Sequence, residues 1–323
     1  MQEKRQAPVL ATEILVGLIL LLNAVVRLRY LGLPLERDEG EYAYAGQLLL
    51  QGIPPYKLVY NMKFPGTYAA YALIEAILGE TTEAIRIALI VVTCATALLV
   101  YLLGARLFGR GAGMAASAAY VLLSLSLASQ GLYAHATHFV VLPAMGALVL
   151  LSTGARRAPL PAGVLLGLAV LMKQPGFAFA AFGVLWMLAE KRWRDAGLVA
   201  AGGATVAAVT AIALAAAGVF GRFWFWTIRY AAEYASETTL AEGKRFFLAQ
   251  FGAIVGWTPA LWIAIAVGIA LLLVEKRLFV PTLIVFSFLA TSAGLYFRHH
   301  YFLLLFPACA LAAGGGVAAA MRR

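Results

Sequence analysis

Four of the chain's 15 acidic residues fall within six positions: Glu36, Asp38, Glu39 and Glu41. Asp38 is one of two aspartates, and the other, Asp195, follows a run of Lys and Arg. Lys57 and Lys63 come next, with Tyr42, Tyr44, Tyr56 and Tyr60 interleaved. Acids at a membrane boundary are costly unless paired or used. Beside bases there, they suit a polar acceptor group and a phosphate-bearing lipid. A structural role competes for Asp38, which suits a helix N-cap with Glu41 three residues on in a box-like arrangement. The helix begun by that cap runs through Leu48, Leu49 and Leu50 and stops at Gly52, before Pro54-Pro55. Tyr42, Ala45 and Leu49 share one face, as in a helix lying along a membrane surface. A second short helix is expected over 67–78, ending at Gly79 and too short to span a bilayer.

Membrane helices must carry these residues. Hydrophobic residues make up 63% of the 323 and charged residues 12%; the mean hydropathy is +0.87. A soluble globule of this size could not hide so much apolar surface. Runs of about 20 apolar residues mark spans, and ten are expected, over 10–29, 84–105, 112–130, 136–153, 159–173, 175–190, 196–220, 251–274, 279–297 and 300–321. The fold class is therefore all-α and polytopic, a single transmembrane domain over 1–323 with no soluble C-terminal domain. The first run follows Met1-Gln2-Glu3-Lys4-Arg5 with no small-residue cleavage site, as an uncleaved anchor would.

Alternate short loops carry Arg106, Arg110, Arg156, Arg157, Lys191, Arg192, Arg194, Lys276 and Arg277, which should be cytoplasmic. Both termini are then cytoplasmic, and the two long polar segments, 31–83 and 221–250, face outward. The short outer loops hold only two basic residues, Lys173 and Arg298. The formal charge of +10 comes from such scattered groups rather than from a basic stripe, which excludes nucleic acid as a partner. Cys94 and Cys309 lie in apolar runs and read as core residues rather than a disulfide. His135, His138, His299 and His300 all fall on the outer side. Of these, His135 and His138 are spaced as weak candidates for a metal pair, with Asp38 or Glu39 completing the set; ordinary hydrogen bonding is the favoured reading.

The stretch Arg37-Asp38-Glu39-Gly40-Glu41-Tyr42, followed by Gly52-Ile53-Pro54-Pro55-Tyr56 and Asn61-Met62-Lys63-Phe64-Pro65-Gly66, resembles the first extracytoplasmic loop of GT-C glycosyltransferases. It is most similar to family 39, which includes protein O-mannosyltransferases and the lipid A aminoarabinose transferase. Leu171-Met172-Lys173-Gln174-Pro175-Gly176 and Arg298-His299-His300-Tyr301-Phe302 also look like that family. The resemblance implies transfer of a sugar from a polyprenyl-phosphate donor to a lipid, glycan or protein acceptor on the outer side of the cell membrane, among membrane lipids. It puts the general base on Asp38, with Glu39 in support, and a donor-phosphate lysine on Lys63. Lys173, Arg298, His300 and Tyr301 join as phosphate ligands, and Glu41, Tyr42 and Tyr60 support the acceptor. A single displacement inverts the anomeric carbon, and no cofactor is required. Lys-Phe-Pro-Gly departs from the family's Lys-Pro-Pro-like motif.

Two other readings use the same residues. A flippase for lipid-linked sugars would hold phosphate without breaking a bond, but it should carry charges along its path, and the span interiors read as nearly free of charge. A non-catalytic membrane subunit is the other.

Overall fold

A computed structural model describes residues 3–322, with side chains from Ala11 onward. The described residues are all-α. In chain order the helices are α1 (Glu3–Leu28), α2 (Arg37–Leu50), α3 (Pro65–Leu78), α4 (Thr82–Phe108), α5 (Arg110–Ser124), α6 (Ala136–Ser152), α7 (Pro159–Met172), α8 (Gly176–Ala189) and α9 (Trp193–Ala216). There follow α10 (Phe220–Trp224), a π-helical turn (Phe225–Tyr230), α11 (Ala231–Ser236), α12 (Leu240–Trp257), α13 (Pro259–Val274), α14 (Phe279–Thr291), a 3-10 stretch (His299–Leu304) and α15 (Phe306–Met321).

Each expected run contains a helix, although α5 stops at Ser124 and α14 at Thr291, short of the expected ends at 130 and 297; among the described residues only Ala11–Leu28, α4 and α9 are each long and apolar enough to cross a membrane alone. The run expected over 251–274 is not one straight span. It breaks at Thr258, and α12 and α13 meet at 106°. Pro259 causes the break, because the residue before a proline is driven out of the helical region, and Thr258 sits at φ −142° and ψ 62°. The expected outer loop 221–250 is helical as well, except at 237–239. Thr239 caps α12 and exchanges hydrogen bonds with Glu242 in a capping box.

The core is built on close approach. A Cβ on Gly268 would lie 2.1 Å from the Ala312 carbonyl oxygen, and one on Gly314 would lie 2.3 Å from that of Ala112. Small residues thus let α15 sit against α13 and α5, as membrane helices commonly do. At one end of the bundle, Arg277 donates to the Leu107 carbonyl at 3.2 Å and Arg322 pairs with Glu275. Three chain-distant turns are tied together there. The expected cytoplasmic placement of the termini also involves Met1, Gln2 and Arg323, which lie outside the described residues.

The opposite end carries α2, α3 and the 299–304 turn. Both short helices form where expected. Tyr42 and Ala45 of α2 are buried, so that face packs inward rather than lying on a lipid surface, and Tyr44 and Leu50 are the exposed apolar residues.

Candidate active site

Asp38 does not cap α2. Glu36 does: its carboxylate accepts from the Asp38 N–H at 2.7 Å, and Glu39 accepts from the Glu36 N–H at 2.9 Å, closing the box. Moving the cap two residues upstream frees the Asp38 carboxylate. It is buried and takes a hydrogen bond from Arg37 at 3.1 Å. The Tyr42 hydroxyl donates to it at 3.4 Å, and Lys63 Nζ stands 3.8 Å away. Burial alone would raise the Asp38 pKa, but Lys63 and Arg37, helped by His135 and Lys173, hold it below the ordinary carboxylate value. Asp38 is therefore ionised at neutral pH.

Glu39 faces the other way. It is fully buried and forms a two-pronged ion pair with Arg86 of α4. Arg86 also donates to the carbonyls of Leu33 and Pro34 and lies over the Tyr133 ring. The Ala134 N–H donates to Glu39 as well. This pair locks α2 to α4 and to the loop before α6, so the contacts of Glu39 are internal to the scaffold. Arg86 lies inside a run that read as apolar. Arg27, also within a run, is buried in α1 and bonds Asn23 and the carbonyls of Ser124 and Gly131. The span interiors therefore do contain charge, but both arginines are held by the scaffold, with the Arg86 Nε alone left unpartnered on that side chain.

Glu41 accepts from Asn61 and from the Tyr68 hydroxyl. Burial lifts its pKa, against the pull of Lys63 and Asn61. Tyr42 is buried among Tyr68 and Tyr71. Tyr60 is exposed against Trp226, outside this cluster.

The loop bearing Lys63 is docked onto the end of α7. Thr67 donates to the Met172 carbonyl at 2.6 Å, Gln174 donates to that of Met62, and a Cβ on Gly66 would strike the Leu171 carbonyl. This docking brings Lys173 close to Lys63. Lys173 is 5% exposed, its Nζ has no hydrogen-bond partner, and it lies 4.1 Å over the Tyr301 ring. Burial and Lys63 drive its pKa well below the lysine value.

His135 precedes α6 and stacks on His300, with ring centroids 4.0 Å apart. Burial pushes the His135 pKa down to about 3, although Asp38 opposes the shift. The weak candidate pair of His135 with His138 is not brought together as a ligand set, and His135, for which ordinary hydrogen bonding was favoured, has neither ring nitrogen hydrogen-bonded. The metal-compatible group among the described residues is Asp38, His135 and His300. His138 instead hydrogen-bonds the Gly131 backbone and lies near Arg27 of α1. Arg298, expected among the phosphate ligands, is exposed. It lies over the Tyr296 ring and hydrogen-bonds Tyr234, at the rim rather than within the cluster.

An apolar cavity of about 740 Å³ begins beside this cluster at Phe64, Leu171 and Phe223 and runs along α7, α8 and α9 past Leu166, Val184 and Val199. The arrangement thus sets a buried carboxylate, two lysines and two histidines beside an apolar cavity of the size and polarity that suit a hydrocarbon chain.

Arg86 and Tyr68 were not singled out in the sequence, and Asn61 was quoted only as part of the stretch around Lys63. A lone arginine one turn into an apolar run was the signal available for the first. The tyrosine gave none, and the asparagine only its place two residues before Lys63.

The sequence model described as dolichyl-phosphate-mannose-protein mannosyltransferase matches residues 63–226. That match starts at Lys63 and takes in His135 and Lys173. The undecaprenyl phosphate-alpha-4-amino-4-deoxy-L-arabinose arabinosyl transferase of Pseudomonas aeruginosa strain UCBPP-PA14 is 33% identical over 227 residues, covering 62% of this chain and 41% of that protein. The enzyme of strain PAO1 matches to the same extent. The chain thus spans less than half the length of these curated relatives. Among solved structures, ArnT from Cupriavidus metallidurans bound to undecaprenyl phosphate superposes with a TM-score of 0.69 at 18% identity, over 94% of this chain and 59% of that one. The apo oligosaccharyltransferase of Archaeoglobus fulgidus gives 0.59 at 12% identity, over 92% and 50%.

Proposed function

The chain belongs to the dolichyl-phosphate-mannose-protein mannosyltransferase family, and from that premise we propose that it is an inverting glycosyltransferase that moves a sugar from a polyprenyl phosphate to an acceptor hydroxyl. One observation carries this reading: the Lys173 ammonium nitrogen is buried without a partner, beside Lys63 and the Asp38 carboxylate. A buried cation is stable only when paired or neutralised. A phosphate head supplies the missing anion, and the adjoining apolar cavity accommodates its lipid chain.

In the proposed step the acceptor O–H gives its proton to Asp38, and the oxygen attacks the anomeric carbon. The bond from that carbon to the phosphate oxygen breaks, and its electron pair leaves on the phosphate. A positioned base contributes about 10²–10⁴-fold. Lys63 and Lys173 then meet more negative charge in the transition state than in the ground state, which is the condition for catalysis by fixed charges. His300 and Tyr301 flank the same phosphate, Glu41 and Tyr42 shape the acceptor side, and Arg298 stands at the rim. Glu39 positions α2 through Arg86.

The same proposal includes about ten crossings in one domain, with both termini cytoplasmic and the site on the outer face. The basic turns at Arg106, Arg156, Lys191 and Lys276 support it, because they lie at the ends of α4, α6, α8 and α13 away from the cluster.

Asp38→Asn tests the reading. In membranes supplied with donor lipid it should abolish sugar transfer while expression and thermal unfolding stay unchanged. Turnover above about a tenth of wild type would remove Asp38 as the base.

A further inference from the structure

The peptide that carries Lys63 is held from two sides, and one side is the wall of the apolar cavity. Phe64, the next residue, lines that cavity together with Phe223, and their ring centroids stand 5.7 Å apart. On the other side the Tyr56 hydroxyl donates to the Lys63 carbonyl at 2.8 Å. Tyr56 in turn meets Phe223, at 5.6 Å between centroids and 60° between planes. Phe223 thus touches both residues that hold the backbone of the lysine. Resting on the transferase reading, we propose that Tyr56 is a positioning residue through which hydrocarbon in the cavity sets the place of Lys63, so that the lipid chain of the donor strengthens the grip on its phosphate.

Tyr56 is the strongest pointer. It is fully buried, and its φ is +66°, in the left-handed region that residues other than glycine rarely occupy. Such a conformation persists only where the surroundings over-determine it. Here they are the Tyr68 ring, at 6.2 Å between centroids, the Phe223 ring and the Lys63 carbonyl. Pro54 and Pro55 precede Tyr56, and their locked backbones leave the approach to it little freedom. Burial pushes the Tyr56 pKa up, so the hydroxyl keeps its proton and remains a donor.

Lys63 needs such a tether. Its ammonium stands 3.8 Å from Asp38, beyond hydrogen-bond distance. No tight ion pair fixes the side chain, so its backbone decides where the charge lies. That backbone cannot shift without moving the Tyr56 hydroxyl or the Phe64 ring. Phe64 and Phe223 are half-buried, and a chain in the cavity packs against both and restricts them. The loop beyond is fixed to the same wall, because Gly66 abuts the carbonyl of Leu171, another lining residue. Binding energy from a remote part of a substrate goes in this way into orientation at the reacting centre. Phe64 is also where this chain departs from the Lys-Pro-Pro-like motif of the family, and the departure supplies the ring.

The test uses the full chain in lipid nanodiscs and three probes. Undecaprenyl phosphate has the long chain and the head, geranyl phosphate the same head on a short chain, and undecaprenol the long chain without phosphate. Lys63→Met should weaken undecaprenyl phosphate binding by about 10–100-fold, the value of a charged hydrogen bond. It should weaken geranyl phosphate by less than about fivefold, the range of a loose ion pair. In a Tyr56→Phe background the loss on Lys63→Met should be alike for the two chains. Tyr56→Phe keeps the ring and removes only the hydroxyl, with thermal unfolding confirming that it folds. Undecaprenol should slow hydrogen exchange across 56–66 in wild type and not in Tyr56→Phe. An equal Lys63→Met loss for both chains in wild type, or an undiminished difference in Tyr56→Phe, overturns the inference and leaves the phosphate site standing. Unchanged binding of both phosphates in Lys63→Met would fell the phosphate role of Lys63 in the transferase reading, and this inference with it.

Discussion

Asp38 and Glu39 are neighbours in the chain and opposites in the fold. Glu39 is saturated: Arg86 meets it with two nitrogens, and the backbone of Ala134 completes its shell. Asp38 has only a loose ammonium at 3.8 Å, an exposed arginine and a long hydrogen bond from Tyr42. Around it, Lys173 and His135 are buried with polar atoms unmet. A closed ion pair is a fastening, because every charge is already answered within the protein. An open one is a place where something else must answer. The difference comes from α2 geometry: adjacent residues on a helix point about 100° apart, so one carboxylate turns to α4 and the other to the loops.

Breaking the closed side should have the largest effect. Arg86→Ala leaves Glu39 as an uncompensated buried charge and should cost about 3–5 kcal/mol of stability. Thermal unfolding in detergent reads this. The double variant Arg86→Met with Glu39→Leu should recover most of that loss. If the double variant is as unstable as Arg86→Ala, the pair is not an isolated fastening.

The open side should behave in the reverse way. Lys173→Met removes an unpaired buried amine, so unfolding temperature should hold or rise. Affinity for polyprenyl phosphate should fall by about 10–100-fold, the value of a charged hydrogen bond. Unchanged affinity would remove Lys173 from the phosphate site.

The smallest effect should come from Glu75, which belongs to neither group. It is buried in α3 with one carboxylate oxygen unpartnered, and burial raises its pKa to about 7, with Glu80 adding to the shift. The folded protein therefore holds this proton more tightly than the unfolded chain, whose carboxyl titrates near the ordinary value of about 4.3. Its contribution is favourable below that value and is lost as pH rises through about 7. Glu75→Gln should thus unfold a few degrees above wild type at pH 8 and coincide with it at or below about pH 4. Parallel melting curves at both pH values would refute the assignment.

Much of this was legible beforehand, and the misses share a cause. The bounds of α2 and α3 follow from local chemistry: Gly52 and Gly79 stop them and Pro65 starts one, all within a turn of the residues they affect. The pairing of Asp38 with Lys63 was also foreseeable as an acid and a base in one loop. The cap was misplaced because Glu36, Asp38 and Glu41 are all acceptors near one helix start, and only the path of the preceding chain decides which carboxylate folds back. The bend at Thr258 carried a signal in Pro259, overlooked inside a long apolar run.

By itself the amino-acid sequence determined that this chain dissolves in a bilayer, where its runs become helices and that its scarce acids gather at one boundary. Those are properties of composition and of spacing along the chain, and each segment expresses them alone. The tertiary structure decided which acid is fastened and which is left open, that Lys173 meets Lys63, and that His135 stacks on His300 rather than pairing with His138. Such choices depend on contacts between residues up to 165 positions apart, as between His135 and His300, and helix packing against α4, α6 and α7 sets them. No local preference encodes a partner that distant; only the packed bundle brings it within ångströms.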